Sequence, residues 1–172
     1  MKTKITDKYE LGRLIRGGIT TEELNSKYDY SSITDMSFML CGFFVLKEIP
    51  LIDTSNVTDM SNMFSYCESL KTIPLLDTSN VTDMSCMFHS CESLKTIPLL
   101  NTSKVTNMKY IFYDCESLKT IPLLDTSKVT NMKYMFSGCN NLIDIDPYNF
   151  ELFDFSIIEN EQFKEKYPEL FI

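Results

Sequence analysis

The chain predicts an α/β repeat solenoid: about five 24-residue coils with short parallel strands, a helical N-terminal cap and a helical C-terminal cap. Three observations carry this. A 24-residue unit is written almost verbatim three times, from Asp53 to Leu76, Asp77 to Leu100 and Asn101 to Leu124. A diverged copy from Asp29 to Ile52 keeps the register through Ile33, Met36, Met39, Leu46, Ile49 and Pro50, and a last copy from Asp125 fades after Leu142 and Ile145. A period of this length marks units that cannot bury an apolar face alone and must stack on their neighbours. Within a unit the apolar residues Val57, Met60, Met63, Phe64, Cys67, Leu70, Ile73 and Leu75 mostly lie three apart, too close for one long helix. Finally, Pro50, Pro74, Pro98 and Pro122 recur in one column and forbid a continuous helix.

The expected organisation is an N-terminal cap over residues 1–28, repeats over 29–145 and an acidic C-terminal cap over 146–172. In the first segment Tyr9, Leu11, Leu14 and Ile15 fit an amphipathic helix ended by Gly17-Gly18. Thr20 and Glu23 then form a capping box before a second short helix. In each unit, short strands are expected near Leu70 to Ile73 and Val57 to Met60, with a helical or 3₁₀ turn over Met63 to Cys67. Equivalent residues should then stack at about 5 Å. Four cysteines (Cys67, Cys91, Cys115, Cys139) share one column and read as a buried thiol stack; Cys41 and Cys86 fall elsewhere. Thr58, Thr82, Thr106 and Thr130 form another ladder, and the hydroxyls of Ser55, Ser79, Ser103 and Ser127 are suited to backbone groups at a bend. The tail from Asp144 to Ile172 loses the repeat but keeps apolar residues such as Phe150, Phe153, Ile157 and Phe163. It holds eight acidic residues against two lysines, with a helix expected over Glu159 to Tyr167.

The phrases DTSNVTDMSNMF and SYCESLKTIP, with their copies, resemble the bacterial leucine-rich repeats of the BspA-like surface-protein family. The resemblance covers residues 29 to about 145. It implies a right-handed leucine-rich-repeat solenoid whose broad role is binding proteins or surfaces. Unlike the secreted members, the chain is expected to lack a signal peptide and an anchor.

The 172 residues are 44% hydrophobic and 23% charged, as in a globular protein of one domain. A formal net charge of −8 argues against nucleic acid as a direct ligand and suits a partner with a basic surface. No segment approaches the roughly 20 apolar residues of a membrane span, so the expected location is cytoplasmic, with no membrane contact. No cofactor motif appears. Cys86-x-x-His89-x-Cys91 lacks a fourth zinc ligand, and a Cys86–His89 nucleophilic pair lacks an orienting third group. The expected protein is not an enzyme, and no metal site or catalytic residue is expected.

Function is sought where the units differ. One polar strip reads Ser32, Asp35, Ser37; Asn56, Asp59, Ser61; Asn80, Asp83, Ser85; then Lys104, Asn107, Lys109; and Lys128, Asn131, Lys133. It carries −3 in its first three copies and +4 in its last two. The columns beside the phenylalanines hold Tyr66, His89, Tyr110, Tyr113 and Tyr134, rings suited to anchoring a partner or to lying flat over core. Glu68/Lys71, Glu92/Lys95 and Glu116/Lys119 repeat unchanged and read as a solubilising ladder. The candidate partner-binding residues are therefore Asp59, Asp83, Tyr66, His89, Lys104, Lys109, Tyr110, Tyr113, Lys128, Lys133 and Tyr134, with Glu159, Glu161 and Glu165 of the tail. The expected function is a non-enzymatic protein-protein interaction module. The alternative is an inhibitor encoded by a phage or mobile element, blocking a host defence nuclease in an anti-CRISPR-like way by laying acidic and aromatic surface in a basic nucleic-acid channel. A structural repeat with no dedicated site is the third reading.

Overall fold

The computed structural model describes residues 1–145 and 161–168. The N-terminal segment forms β1 (Thr3–Lys4), α1 (Lys8–Arg16), α2 (Thr21–Lys27) and β2 (Tyr28–Asp29). β1 pairs in parallel with β2, Thr3 opposite Tyr28 and Lys4 opposite Asp29. Asp7 caps α1 by accepting the Tyr9 N–H. Leu11 and Ile15 turn into the core, whereas Tyr9 stays half exposed. The helix stops where Gly17 N–H donates to the Arg13 carbonyl and Gly18 takes a φ of 81°. The Thr20–Glu23 capping box forms as its spacing predicts.

From Tyr30 onward the chain winds into stacked coils, and its backbone hydrogen bonds alternate. The N–H groups of Met60, Asn62, Phe64 and Tyr66 donate to the carbonyls of Asp83, Ser85, Met87 and His89 in the next unit, at 2.7–3.0 Å. Those of Met63, Ser65 and Cys67 instead donate three residues back, to Met60, Asn62 and Phe64. One set ties coil to coil and the other closes successive turns. In the turns Met60–Met63 and Phe64–Cys67 the third residue has positive φ, 57° at Asn62 and 61° at Tyr66. That is the requirement of a type II turn, whose third position favours Gly or Asn.

This geometry corrects the expected strands and helical turn. No strand run forms in the repeats among the described residues. Single parallel bridges join Asp35, Asp59, Asp83, Asn107 and Asn131 in series, and one more joins Thr120 to Asp144. Left-handed residues at two places per coil break any extended or helical run through Met63 to Cys67, and near Leu70 to Ile73 the proline that follows has no N–H to donate.

Inside the coils, side chains stack in columns. Phe64, Phe88, Phe112 and Phe136 are fully buried, and their rings lie nearly parallel with centroids 5.7–5.9 Å apart. The thiols of Cys67, Cys91, Cys115 and Cys139 are buried as expected. Each donates to a carbonyl 27 residues back, those of Leu40, Phe64, Phe88 and Phe112, at 3.0–3.2 Å. Burial pushes the Cys67 thiol up to about 12 and those of Cys91, Cys115 and Cys139 upward as well.

Two further expectations change. Leu75 is not core: Leu51, Leu75, Leu99 and Leu123 are 49–64% exposed, and Ile52, Leu76, Leu100 and Leu124 fill the interior instead. The hydroxyls of Ser55, Ser103 and Ser127 donate to Asp53, Asn101 and Asp125 side chains two residues earlier, not to backbone. Backbone groups are met by a buried threonine column, with Thr54, Thr78 and Thr102 donating to the carbonyls of Asp77, Asn101 and Asp125. The repeated Glu68/Lys71-type pairs form no ion pair among the described residues, where the four pairs are Lys8–Asp35, Lys27–Glu23, Lys164–Glu161 and Lys166–Asp144. After the repeats, α3 (Glu161–Lys166) forms within the helix expected over Glu159 to Tyr167 and stops one residue short of Tyr167, while residues 159 and 160 lie outside the described residues. The Tyr167 hydroxyl donates to the Ile145 carbonyl, and Lys166 pairs with Asp144.

Candidate functional site

The two turns per coil that need positive φ fall on two of the variable columns. The first holds Phe38, Asn62, Cys86, Tyr110 and Tyr134, with φ of 56–59°. The second holds Gly42, Tyr66, Ser90, Asp114 and Gly138, with φ of 53–78°. Gly, Asn and Asp suit such positions; Phe, Tyr and Cys do not, and a left-handed residue with a Cβ costs about 1–2 kcal/mol. Bulky rings therefore stand where the backbone disfavours them, and strain of this kind clusters at functional sites.

The rings meet. Tyr66 leans on His89 at 4.9 Å, and His89 stacks on Tyr113 at 4.9 Å with planes 6° apart. Tyr113 meets Tyr110 edge-on at 5.4 Å, and Tyr110 stacks on Tyr134 at 5.0 Å. All five predicted aromatic residues thus form one connected cluster. Tyr66 and Tyr134 are exposed and the other three half-buried. Burial holds the His89 imidazole below its ordinary value of 6.5, against the pull of the Asp114 carboxylate. The Ser90 hydroxyl lies 3.2 Å from its Nδ1.

The charged strip runs beside this cluster and touches it at Lys109, whose Nζ lies 4.8 Å from the centre of the Tyr110 ring. Lys104 reaches one coil back to Asn80 Oδ1 at 2.7 Å. Lys128 and Lys133 are exposed. Asp59 and Asp83 are half-buried and serve the coil itself, since their Oδ1 atoms accept the N–H of Ser61 and Ser85. Asp83 also accepts from the Asn107 side chain. In the tail, Glu161 is ion-paired with Lys164, Glu165 is exposed, and Glu159 lies outside the described residues. Cys91 faces the core and spends its thiol on Phe64, which takes it away from Cys86 and His89. Among the described residues no three His, Cys, Asp or Glu side chains converge to hold a metal ion, and no helix is long and apolar enough to cross a membrane.

Two features escaped sequence reasoning. Phe38 stands in the Tyr110 column and is 49% exposed; its column membership was the signal. The leucine row escaped because Leu75 and Leu76 are adjacent and only one can point inward. The spacing of three, continued from Leu70 and Ile73, lands on Leu76.

Stacked coils with a repeating core and one variable outer face define a solenoid repeat protein. The chain belongs to the family described as Mycoplasma protein of unknown function, DUF285, whose model matches residues 15–120 and again 41–150. A solved leucine-rich repeat protein from Eubacterium ventriosum is similar in structure, with a TM-score of 0.54 and 23% identity over 70% of this chain. The match takes in 32% of that protein, so the chain spans about a third of its length. No curated protein matches. The likeness supports the BspA-like resemblance at the level of the repeat fold.

Proposed function

We propose that this chain is a non-enzymatic protein-binding module of about five coils. It holds its partner on the Tyr66–His89–Tyr113–Tyr110–Tyr134 cluster, while the lysines beside it set the partner's orientation. The observation that carries this is the placing of Tyr66, Tyr110 and Tyr134 at left-handed positions, which suit the backbone of Asn or Gly rather than Tyr. Rigid, half-exposed tyrosines are good anchors, because they cover much area for little lost side-chain freedom. Lys104, Lys109, Lys128 and Lys133 add a one-sided positive field, which favours orientation and rate of encounter over raw affinity.

The test is affinity capture from the native host with three baits: the wild-type chain, Tyr110→Asn/Tyr134→Asn, and Lys104→Glu/Lys109→Glu/Lys128→Glu/Lys133→Glu. A protein held by the wild type should be lost from the tyrosine variant and held more weakly by the lysine variant. Both variants should stay folded. Capture that is equal for all three baits rules out this face. The inhibitor reading rests mainly on the acidic tail. Of its three chosen glutamates only Glu161 and Glu165 lie among the described residues, and Glu161 is already paired.

A further inference from the structure

The aromatic face is built from residues that change from unit to unit, whereas a second exposed row does not change. Leu51, Leu75, Leu99 and Leu123 stand in one column, all 49–64% exposed. Single exposed leucines need no explanation, but a contiguous apolar row rimmed by polar residues marks an interaction surface. We infer that this leucine row is the face on which two copies of the chain pair side by side, both solenoids running in the same direction.

The flanks of the row identify its occupant. Four residues before each leucine comes an exposed lysine: Lys47, Lys71, Lys95 and Lys119. Two residues after each comes an exposed Asp53, Asp77, Asn101 or Asp125. The face is therefore three parallel strips, positive, apolar and negative. A two-fold axis along the solenoid lays leucine on leucine and sets each lysine strip opposite the other copy's aspartates, on both sides at once. A two-fold axis across the solenoid sets lysine on lysine and aspartate on aspartate, which like-charge repulsion disfavours. The same patch serves both copies, as a closed symmetric dimer requires. None of these lysines is in an ion pair among the described residues. The aspartates are fixed in place, since each Oδ1 is held by the serine two residues on. Four leucines fall short of the roughly 800 Å² per partner of a standard interface. The contact must take in the charged strips and the half-buried prolines Pro50, Pro74, Pro98 and Pro122, and the association is expected to be weak. The aromatic cluster sits about half a coil away in sequence, so pairing leaves it open.

Sedimentation velocity of the full chain over a range of concentrations tests the pairing. The wild type should show a concentration-dependent dimer. Leu75→Ser/Leu99→Ser and Lys71→Glu/Lys95→Glu/Lys119→Glu should both sediment as monomers, with the circular dichroism of the wild type. A wild type that stays monomeric at about 1 mM, or a dimer that survives both variants, overturns the inference. Direction is read by disulfide crosslinking. Leu51→Cys and Leu123→Cys should each crosslink to its own copy when alone. If Cys at 51 instead joins Cys at 123 in the mixture and neither joins itself, the solenoids run in opposite directions and the parallel pairing fails.

Discussion

At the scale of single residues, the left-handed positions set stability against use. Phe38 has φ 58° and a half-exposed ring. Phe38→Asn places there the residue that Asn62 already supplies in the next unit. It should stabilise the fold by about 1 kcal/mol and raise the midpoint of thermal unfolding by roughly 2–4 °C. Tyr110→Asn relieves similar strain but gives up its stack on Tyr134, worth about 0.5–1.5 kcal/mol, so its thermal midpoint should barely move. Gly138 is the opposite case: a Cβ there would lie 2.0 Å from Asp114 Oδ1 and 3.0 Å from its Cα, at a φ of 78°. Gly138→Ala should therefore destabilise by more than 1 kcal/mol, whereas Gly42→Ala, with open space around it, should suffer only the strain of positive φ. His89 adds a pH dependence. Burial lowers its folded pKa below 6.5, so the unfolded chain takes up a proton at a higher pH than the native one. Stability should then fall as pH drops through 6.5 and level off below the folded value. Denaturant titrations across this range should show the slope in the wild type and not in His89→Gln. Asp77 and Asp125, held below 3.8 by Ser79 and Ser127, lose their contribution only at lower pH, as they protonate in the fold.

At the scale of elements, the turn columns give α1 a role at the N-terminal end. Through those columns each unit donates N–H groups to the next, while Thr58, Ser69 and Lys71 donate back to the unit before, so the first unit's turn columns hold carbonyls with no earlier unit to donate to them. Arg16, in the last turn of α1, reaches two of them, the carbonyls of Met39 and Cys41, at 3.3 and 3.4 Å. These match the carbonyls of Met63 and Ser65, which take the N–H groups of Leu40 and Gly42 one coil earlier. Arg16 thus stands in for a missing coil, and its guanidinium also lies 5.6 Å from the Phe43 ring. Arg16→Ala should cost about 1–2 kcal/mol, measured as a fall in the denaturant midpoint. The helix signals of this segment (Gly17-Gly18, Thr20 with Glu23) were legible because they are local. The period and the cysteine and phenylalanine columns were legible because packing repeats them. The turns were not. Gly42, Asn62, Asp114 and Gly138 hint at left-handed backbone, but the tyrosines, Phe38 and Cys86 in the same columns hide it. Ring contacts between units were foreseeable only as neighbouring columns, since their distances depend on those turns.

At the scale of the whole molecule, each coil bonds only to its neighbours, so stability should be close to a sum over units and the interfaces between them. Removing one complete period tests this. Deleting Asp77 to Leu100 joins Leu76 to Asn101 and returns every column to register. Met60 N–H would meet Asn107 in place of Asp83, Phe64 would face Phe112, and the Cys115 thiol would find Phe64 in place of Phe88. The shortened chain should fold with wild-type circular dichroism and a smaller denaturant dependence, in proportion to the surface it no longer buries. Deleting Asp77 to Phe88, half a period, puts Ile111 and Met135 over the exposed Leu99 and Leu123 column and Leu94 and Leu118 over the exposed threonine column, and should not fold. The full-period deletion also removes His89, and by the same register Tyr113 comes to stand against Tyr66 in its place. It should therefore keep the fold and a connected cluster of four rings, so capture of a partner held on that cluster should weaken only by the loss of one ring. It takes away one leucine of the four-membered row and leaves Leu51, Leu75 and Leu123 in register, so self-association should weaken without disappearing. If Tyr110→Asn/Tyr134→Asn introduced into the shortened chain leaves capture unchanged, the cluster is coil surface rather than a site.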